Sequence, residues 1–139
     1  MINVRWQPGD PFPLIRAEAW AGLQRAVAFL HAKLLEELNT PNTGTRVKYR
    51  KGGKRRSRTV YRDPSRPGEP PRKRTGWLQR NVLYELDKAA LRARVGVSSS
   101  AIYGMFLDLG TVRMQARPWL AVTVKKYAAQ MRALAALRK

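Results

Sequence analysis

The sequence predicts an α+β fold for a single domain that spans residues 1–139. Three observations lead to this prediction: two long stretches with apolar residues at helical spacing, several short alternating segments, and a hydrophobic content of 44%. A chain of 139 residues has the size of one domain and can bury a core. The predicted order is a long N-terminal helix, a small antiparallel sheet with a basic hairpin, a short helix and a long C-terminal helix.

The first helix is predicted over residues 14–38. It begins after the turn-rich "WQPGDPFP", whose prolines favour extended backbone, and ends at "NTP". His31 is interpreted as a boundary residue on this helix, because the chain has no second histidine with which to share a metal ion. Apolar residues recur at spacings of three and four along one face, namely Trp20, Leu23, Val27, Leu30, Leu34 and Leu38.

A basic hairpin and a proline-rich strap are predicted over residues 42–74. The segments "VKYR" and "RTVYR" have strand-like character, and the two glycines between them indicate a hairpin or a long flexible finger. From residue 46 to residue 74, thirteen basic residues face two acidic ones, so +11 of the total +19 lies in about a fifth of the chain. The candidate DNA-facing residues are Arg46, Lys48, Arg50, Lys51, Lys54, Arg55, Arg56 and Arg58.

Several interpretations of this charge stay open. A solvated surface loop normally mixes signs, so contact with a polyanion is favoured. The partner could be nucleic acid, an anionic membrane surface or an acidic protein, and a nuclear-localisation signal is a further alternative. Only Tyr49 and Tyr61 are interleaved with the basic residues, which disfavours single-strand binding by base stacking.

A strand pair is predicted over residues 75–97. In "WLQRNVLYEL", Val82, Tyr84 and Leu86 alternate with other residues, and "LRARVGV" alternates more cleanly. The segment "DKAA" between them is a plausible turn, so an antiparallel pair with one buried face follows.

Residues 98–139 are predicted to be a helical C-terminal part. The serines at 98–100 suit a helix start, Gly110 suits a helix end, and Pro118 suits the first turn of a last helix. Two stripes at helical spacing support these elements, formed by Ile102, Phe106 and Leu109 and by Leu120, Val124, Tyr127, Met131 and Leu134.

The composition argues against several function classes. Without cysteine, no disulfide, thiolate catalysis or cysteine-ligated zinc is possible. The first residues lack the apolar run of a signal peptide, and no stretch approaches 18 apolar residues, so we expect synthesis in a cytoplasm and no membrane partner. The few carboxylates form no recognisable pair motif, and the glycine-containing segments fit no phosphate-binding fingerprint. We therefore expect no enzyme, no metal and no cofactor.

Three strings followed by a helix occur in an order that resembles one family. The strings are "RPGEPPRKRTGWLQRNV", "RVGVSSSAIYGMFLDLGT" and "MQARPWL", and the terminal helix follows them. Together they resemble the tail-completion, or head–tail joining, family of long-tailed bacteriophages over roughly residues 64 to 125. The sequence departs from the family pattern at Asp108, where that pattern has Glu, and at Asn81, where it has Ser.

The resemblance implies a structural function in the virion. Such proteins build a ring, expected to be six-fold, at the neck between the capsid connector and the tail tube, after assembly in the host cytoplasm. The implied partners are further copies of the chain, the connector or stopper, the tail terminator or tail-tube proteins, and genome DNA held by non-specific phosphate contacts. The competing hypothesis is a free-standing nucleic-acid-binding protein without sequence preference.

The strap and the C-terminal motifs supply the remaining candidate residues. Prolines stiffen the strap, which could then reach a neighbouring subunit, although an ordinary linker within the monomer is the alternative. Arg117 is expected either to pair with Asp108 or to contact another subunit. The candidate contact residues are Pro67, Glu69, Pro70, Pro71, Asp108 and Arg117, and the candidate structural residues are Gly76, Gly110, Pro118 and Trp119.

Overall fold

The computed structural model describes residues 12–42, 44–61 and 64–136, and it confirms the α+β class. Helix α1 covers Phe12–Glu37, and strands β1 (Gly44–Lys51) and β2 (Lys54–Tyr61) follow. Next come the single helical turn α2 (Trp77–Arg80) and strands β3 (Val82–Asp87) and β4 (Arg92–Val97). A 3₁₀ turn at Ser99–Ala101, helix α3 (Tyr103–Leu109) and helix α4 (Leu120–Ala135) complete the order.

The strands form two separate two-stranded antiparallel sheets instead of one small sheet. Strand β1 pairs with β2, and β3 pairs with β4 from Val82 opposite Val97 to Asp87 opposite Arg92. The strand predicted from the alternation of Val82, Tyr84 and Leu86 is confirmed, but the first part of the predicted range 75–97 differs, because Trp77–Arg80 form α2 and the strand begins at Val82. The Asn81 amide donates to the Trp77 carbonyl oxygen and so closes this helical turn.

Helices α1 and α4 pack side by side and run in opposite directions. Gly22 of α1 lies against Ala135 near the end of α4, and a Cβ at Gly22 would come within 2.5 Å of the Ala135 carbonyl oxygen. Farther along, Phe29 meets Tyr127 edge-on with ring centroids 5.7 Å apart. The close approach at Gly22 therefore depends on the absence of a side chain at that position.

The hydrophobic core lies between this helix pair and the β3–β4 sheet. The predicted stripe of α1 is confirmed, since Val27, Leu30, Leu34 and Leu38 are buried. Trp119, only 1% exposed, fills the centre, and its indole N–H donates to the Gly104 carbonyl oxygen at 2.9 Å. The core cluster consists of Leu30, Leu34, Leu38, Leu78, Val82, Ala101 and Trp119.

His31 closes one edge of this core. Its Nε2 lies 3.1 Å from the Val82 carbonyl oxygen, and its ring packs edge-on against Tyr84 at 5.2 Å. This placement agrees with the interpretation of His31 as a half-buried boundary residue that links α1 to β3.

Candidate nucleic-acid interface

The basic segment folds as a hairpin with a two-residue turn. Gly52 and Gly53 both have positive φ, +60° and +73°, which is the conformation that a tight turn between twisted strands requires. The strands continue up to this turn, with Lys51 opposite Lys54. Of the two predicted alternatives, the structure thus shows the hairpin and not a long flexible finger.

The pairing register divides the eight predicted DNA-facing residues equally between the two faces of the hairpin. Residues directly opposite each other share a face, and successive residues alternate. The first face, called face A here, carries Arg46, Lys48, Arg50 and Arg55 together with Ser57 and Thr59. The other, face B, carries Lys51, Lys54, Arg56 and Arg58 together with Thr45, Val47, Tyr49 and Val60.

The two faces differ in what surrounds their charges. On face A the neighbours are hydroxyl groups, and Arg46 donates from Nε to the Ser57 hydroxyl oxygen at 3.1 Å. On face B the Arg58 guanidinium lies 5.8 Å from the centroid of the Tyr49 ring, and Val47 lies beside them. Face B therefore combines charge with apolar surface, whereas face A is polar throughout.

Like charges stand directly opposite each other near the hairpin tip. Arg50 pairs with Arg55 and Lys51 pairs with Lys54, and every side chain from Thr45 to Thr59 is exposed. Opposed like charges destabilise a strand pair, and an isolated two-stranded hairpin is only marginally stable in water. A bound polyanion would remove this repulsion, so the hairpin is suited to stabilisation by an anionic partner.

The proline-rich strap lies against its own chain. The Gly68 N–H donates to the Ala116 carbonyl oxygen at 3.0 Å, and the Glu69 carboxylate accepts from the Arg66 N–H. Backbone hydrogen bonds from Lys73 to Thr40 and from Asn42 to Lys73 fasten its end. These contacts agree with the alternative of a linker within the monomer.

The candidate contact residues of the strap have different exposures. Pro67 and Glu69 are exposed, Pro70 is half-buried and Pro71 is buried in the monomer. Pro71 is therefore unavailable to a neighbouring subunit in this arrangement. Whether the exposed residues contact a neighbour stays a prediction.

Of the two roles that the sequence allows for Asp108, a charge pair or a cap, the structure shows the cap. One oxygen of its carboxylate accepts from the backbone N–H groups of Trp119 and Leu120, both at 2.8 Å. These N–H groups lie at the start of α4, where no helical carbonyl can accept them. The expected pairing of Asp108 with Arg117 is absent from the ion pairs among the described residues. Asp108 thus caps α4.

Arg117 lies beside a cleft, half-buried. Its backbone N–H donates to the Leu107 carbonyl oxygen at 2.7 Å. Its side-chain Nε is buried and has no hydrogen-bond acceptor in the part of the chain that the structure describes. The prediction of a subunit contact for Arg117 stays a prediction.

The candidate structural residues mostly have the expected roles. Gly76 and Gly110 have φ of +75° and +78°, and a Cβ at Gly110 would approach the Ala116 nitrogen to 2.9 Å. Trp119 packs in the core. The expected position of Pro118 is wrong, because α4 begins at Leu120 and Trp119 is its N-cap, which leaves Pro118 just before the helix.

An exposed apolar surface on α3 was missed by the sequence analysis. Ile102, Phe106 and Leu109 do share one side of this helix, but that side faces outward, with exposed fractions of 52%, 45% and 72%. Met105 lies among them, and Val112 follows in the turn after the end of α3. Helical spacing alone indicates an apolar stripe and does not tell whether the chain itself covers it. We call these five residues the α3 surface.

Within residues 12–42, 44–61 and 64–136, three side chains have shifted pKa values, and all three shifts are upward. A hydrogen bond to Glu36 raises the pKa of Lys33, and one to Glu37 raises that of Lys126. Burial raises the pKa of the Tyr103 hydroxyl. None of these three groups belongs to the hairpin.

No group of three His, Cys, Asp or Glu side chains within residues 12–42, 44–61 and 64–136 is arranged to hold a metal ion. No helix in the same ranges is long and apolar enough to cross a membrane.

Comparison with protein-family models, curated proteins and solved structures finds no match to this chain. The interpretation of the hairpin therefore depends on its geometry and on the motif resemblance described above.

Proposed function

We propose that this chain is a structural component of the head–tail interface of a long-tailed bacteriophage. In this proposal, copies of the chain form a ring, and genome DNA passes through or near its basic lumen. The observation that carries the proposal is the projecting hairpin, whose eight basic side chains are all exposed and are accompanied by no acidic residue between Gly44 and Tyr61. The chain acts through shape and charge, without bond-making chemistry.

The motif order supports the assignment to the neck. The strings that resemble the tail-completion family lie between residues 64 and 125. Several of their residues have structural roles that depend on the residue type. Gly76 and Gly110 adopt positive φ, and Trp119 anchors the core. Asp108, at the position where the family pattern has Glu, caps α4 through its carboxylate, a role that glutamate could also fill.

The α3 surface supports self-assembly. A contiguous apolar surface rimmed by polar residues is typical of protein–protein contacts. If it meets a different surface of the next copy, the contact is heterologous and closes into a ring when the rotation permits. The partners in this proposal are further copies of the chain, the connector or stopper, and the tail terminator or tail-tube proteins.

The hairpin geometry favours phosphate contacts without sequence preference. Lysine and arginine side chains that reach phosphates release counterions, and log K then falls with log[salt] by about 0.9 for each phosphate contacted. A duplex lying on one face would meet four basic residues and give a slope of about −3.6. A hairpin inserted into a groove would use both faces and give a slope of about −7.

Two matched variants test this DNA contact. In one, the four basic residues of face A become glutamine; in the other, the four of face B do, so both lose the same charge. We expect at least one variant to bind duplex DNA more weakly with a shallower salt slope, measured by fluorescence anisotropy at several salt concentrations.

A third variant controls for net charge alone. It replaces four exposed basic residues outside the hairpin by glutamine, namely Lys88, Arg113, Lys125 and Arg132. If this variant weakens DNA binding as much as the hairpin variants do, the hairpin has no special role and the DNA part of the proposal fails.

Light scattering tests the ring. We expect the protein to form a closed oligomer, six-fold by the resemblance, either alone or with a tail-tube protein. Phe106→Asp places a charge on the α3 surface and should reduce assembly, whereas Leu83→Asp, on exposed strand β3, should not. A strict monomer under both conditions would contradict the ring.

The alternative is a free-standing nucleic-acid-binding protein, which the hairpin supports equally. The two functions differ in assembly and location. A monomer that binds DNA through the hairpin and is absent from virions would favour the alternative. Turnover of a substrate that disappears when one polar side chain is changed would contradict both.

A further inference from the structure

A cleft at the base of the hairpin brings together basic residues that are distant in the sequence. Its volume is about 640 Å³, and it lies between β2, the end of the strap, α2 and α3. Its basic lining comes from three parts of the chain, and these residues are Arg58, Arg72, Lys73, Arg74 and Arg117. None of the described residues that line it is acidic.

The lining of the cleft is mixed in character. Aliphatic side chains, including Leu38, Val60 and Leu107, lie among the cations, and the aromatic side chains of Trp77 and Tyr103 line the cleft as well. The buried Arg117 Nε lacks an acceptor among the described residues, and a buried donor left without a partner costs free energy. A ligand that supplies both carboxylates and apolar groups would satisfy this combination.

Six of the seven acidic side chains in the described residues already have a hydrogen-bond or ion-pair partner. Glu18, Glu36 and Glu37 form ion pairs with Arg25, Lys33 and Lys126. The remaining four are held by backbone N–H groups or stand opposite arginines: Glu69 accepts from Arg66, Asp87 from Ala90, Asp108 from Trp119 and Leu120, and Glu85 lies opposite Arg94. A second copy of the described chain thus has few free carboxylates to offer the cleft.

We propose that this cleft binds an extended acidic segment of a different protein, in which carboxylates alternate with apolar side chains. Guanidinium groups recognise carboxylates through paired hydrogen bonds, and an extended peptide presents alternate side chains to opposite sides. The aliphatic side chains among the cations suit the apolar side chains of such a peptide. Because Trp77 and Tyr103 also line the cleft and bases stack on aromatic rings, a single-stranded nucleic acid is the alternative occupant that the comparison probe below tests. This site lies at the base of the hairpin and shares Arg58 with face B, and its proposal does not depend on the ring.

Two variants on different walls of the cleft test the proposal. Arg117→Met removes the guanidinium and keeps most of the side-chain volume, and Arg58→Met does the same on the exposed hairpin, where the core cannot be disturbed. Arg46→Met is the matched control, because Arg46 is also an exposed hairpin arginine but does not line the cleft. Near-UV circular dichroism of each variant reports whether the core around Trp119 is intact.

The probe is a fluorescein-labelled seven-residue peptide of alternating Asp and Leu, with a single-stranded oligothymidylate of eight nucleotides as the comparison. We expect the peptide to bind, and Arg117→Met and Arg58→Met each to weaken it about tenfold, as the loss of one charge-assisted hydrogen bond predicts. Arg46→Met should change its affinity less than about twofold, in the range of an exposed charge pair.

Three results would overturn the proposal. One is the absence of peptide binding to the unaltered protein. Another is that Arg58→Met or Arg117→Met loses no more affinity for the peptide than Arg46→Met does. General attraction to positive charge would then explain the binding. The third is tighter binding of the oligothymidylate with the same dependence on Arg58 and Arg117, which would assign the cleft to nucleic acid.

Discussion

The helical body and the basic hairpin are stabilised in different ways. The body buries Leu34, Leu38 and Trp119 between α1, α4 and the β3–β4 sheet, and its few carboxylates are paired or used as caps. The hairpin has no buried side chain between Thr45 and Thr59, and like charges face each other at its tip. The buried side chains that stabilise the fold and the surplus basic side chains therefore lie in different regions. The basic residues of the hairpin can be changed without loss of the core.

The largest effect should come from the centre of the body. Trp119→Ala removes a side chain that is 1% exposed together with its hydrogen bond to Gly104, and we expect a loss of about 3–5 kcal/mol in the free energy of unfolding. Trp77→Ala is the matched control, because Trp77 is 46% exposed. Urea denaturation measures both, and equal losses would show that the core is not centred on Trp119.

A smaller effect is expected at the start of α4. Asp108→Ala removes the acceptor for the Trp119 and Leu120 N–H groups, and the loss of such a cap costs about 1 kcal/mol. Glu36→Ala, at an exposed position of α1, removes a carboxylate that forms a surface ion pair with Lys33 and should cost less. If the two variants unfold at the same urea concentration, Asp108 does not stabilise the body as a cap.

In the hairpin, removal of side chains should increase stability, in contrast to the losses expected in the body. Replacing Arg50 and Arg55 by threonine removes one opposed pair of like charges, and we expect the hairpin to gain a few tenths of a kcal/mol. Amide hydrogen exchange in β1 and β2 should slow, while the unfolding of the body stays unchanged. Faster exchange in the hairpin would mean that the arginine side chains stabilise it, which would contradict repulsion between the opposed charges.

The smallest effect is a pH dependence that belongs to the body. Burial raises the pKa of Tyr103, so the folded protein keeps this proton to a higher pH than the unfolded chain does. Its contribution to stability is present below the ordinary tyrosine pKa of about 10 and is lost as the pH rises through the raised value.

Tyr103→Phe should therefore reduce the fall in stability between pH 9 and pH 11, measured by urea denaturation. Tyr84→Phe is the control, because Tyr84 has the same exposure of 41%. An unchanged fall in Tyr103→Phe would contradict the effect of burial. Lys33 and Lys126, whose pKa values are also raised, contribute to the fall in the same direction and are present in both variants.

Local patterns in the sequence determined most of the elements. The stripe from Trp20 to Leu38 predicted α1 to within two residues, because a long amphipathic helix carries its burial pattern in its own spacing. The glycine pair predicted the hairpin turn, because few other residues accept positive φ twice in succession. The excess of basic residues was equally visible, since charge is a property of composition.

Only the tertiary structure decided how these elements are used. It divided the eight hairpin charges four and four through the strand register, which depends on pairing between distant residues. It turned the stripe of α3 outward, held the strap against its own chain, and made Asp108 the cap of α4. It also placed Arg58 and Arg117 on different walls of one cleft, although they are 59 positions apart in the chain. Such contacts arise from packing across the molecule, and no local spacing of residues encodes them.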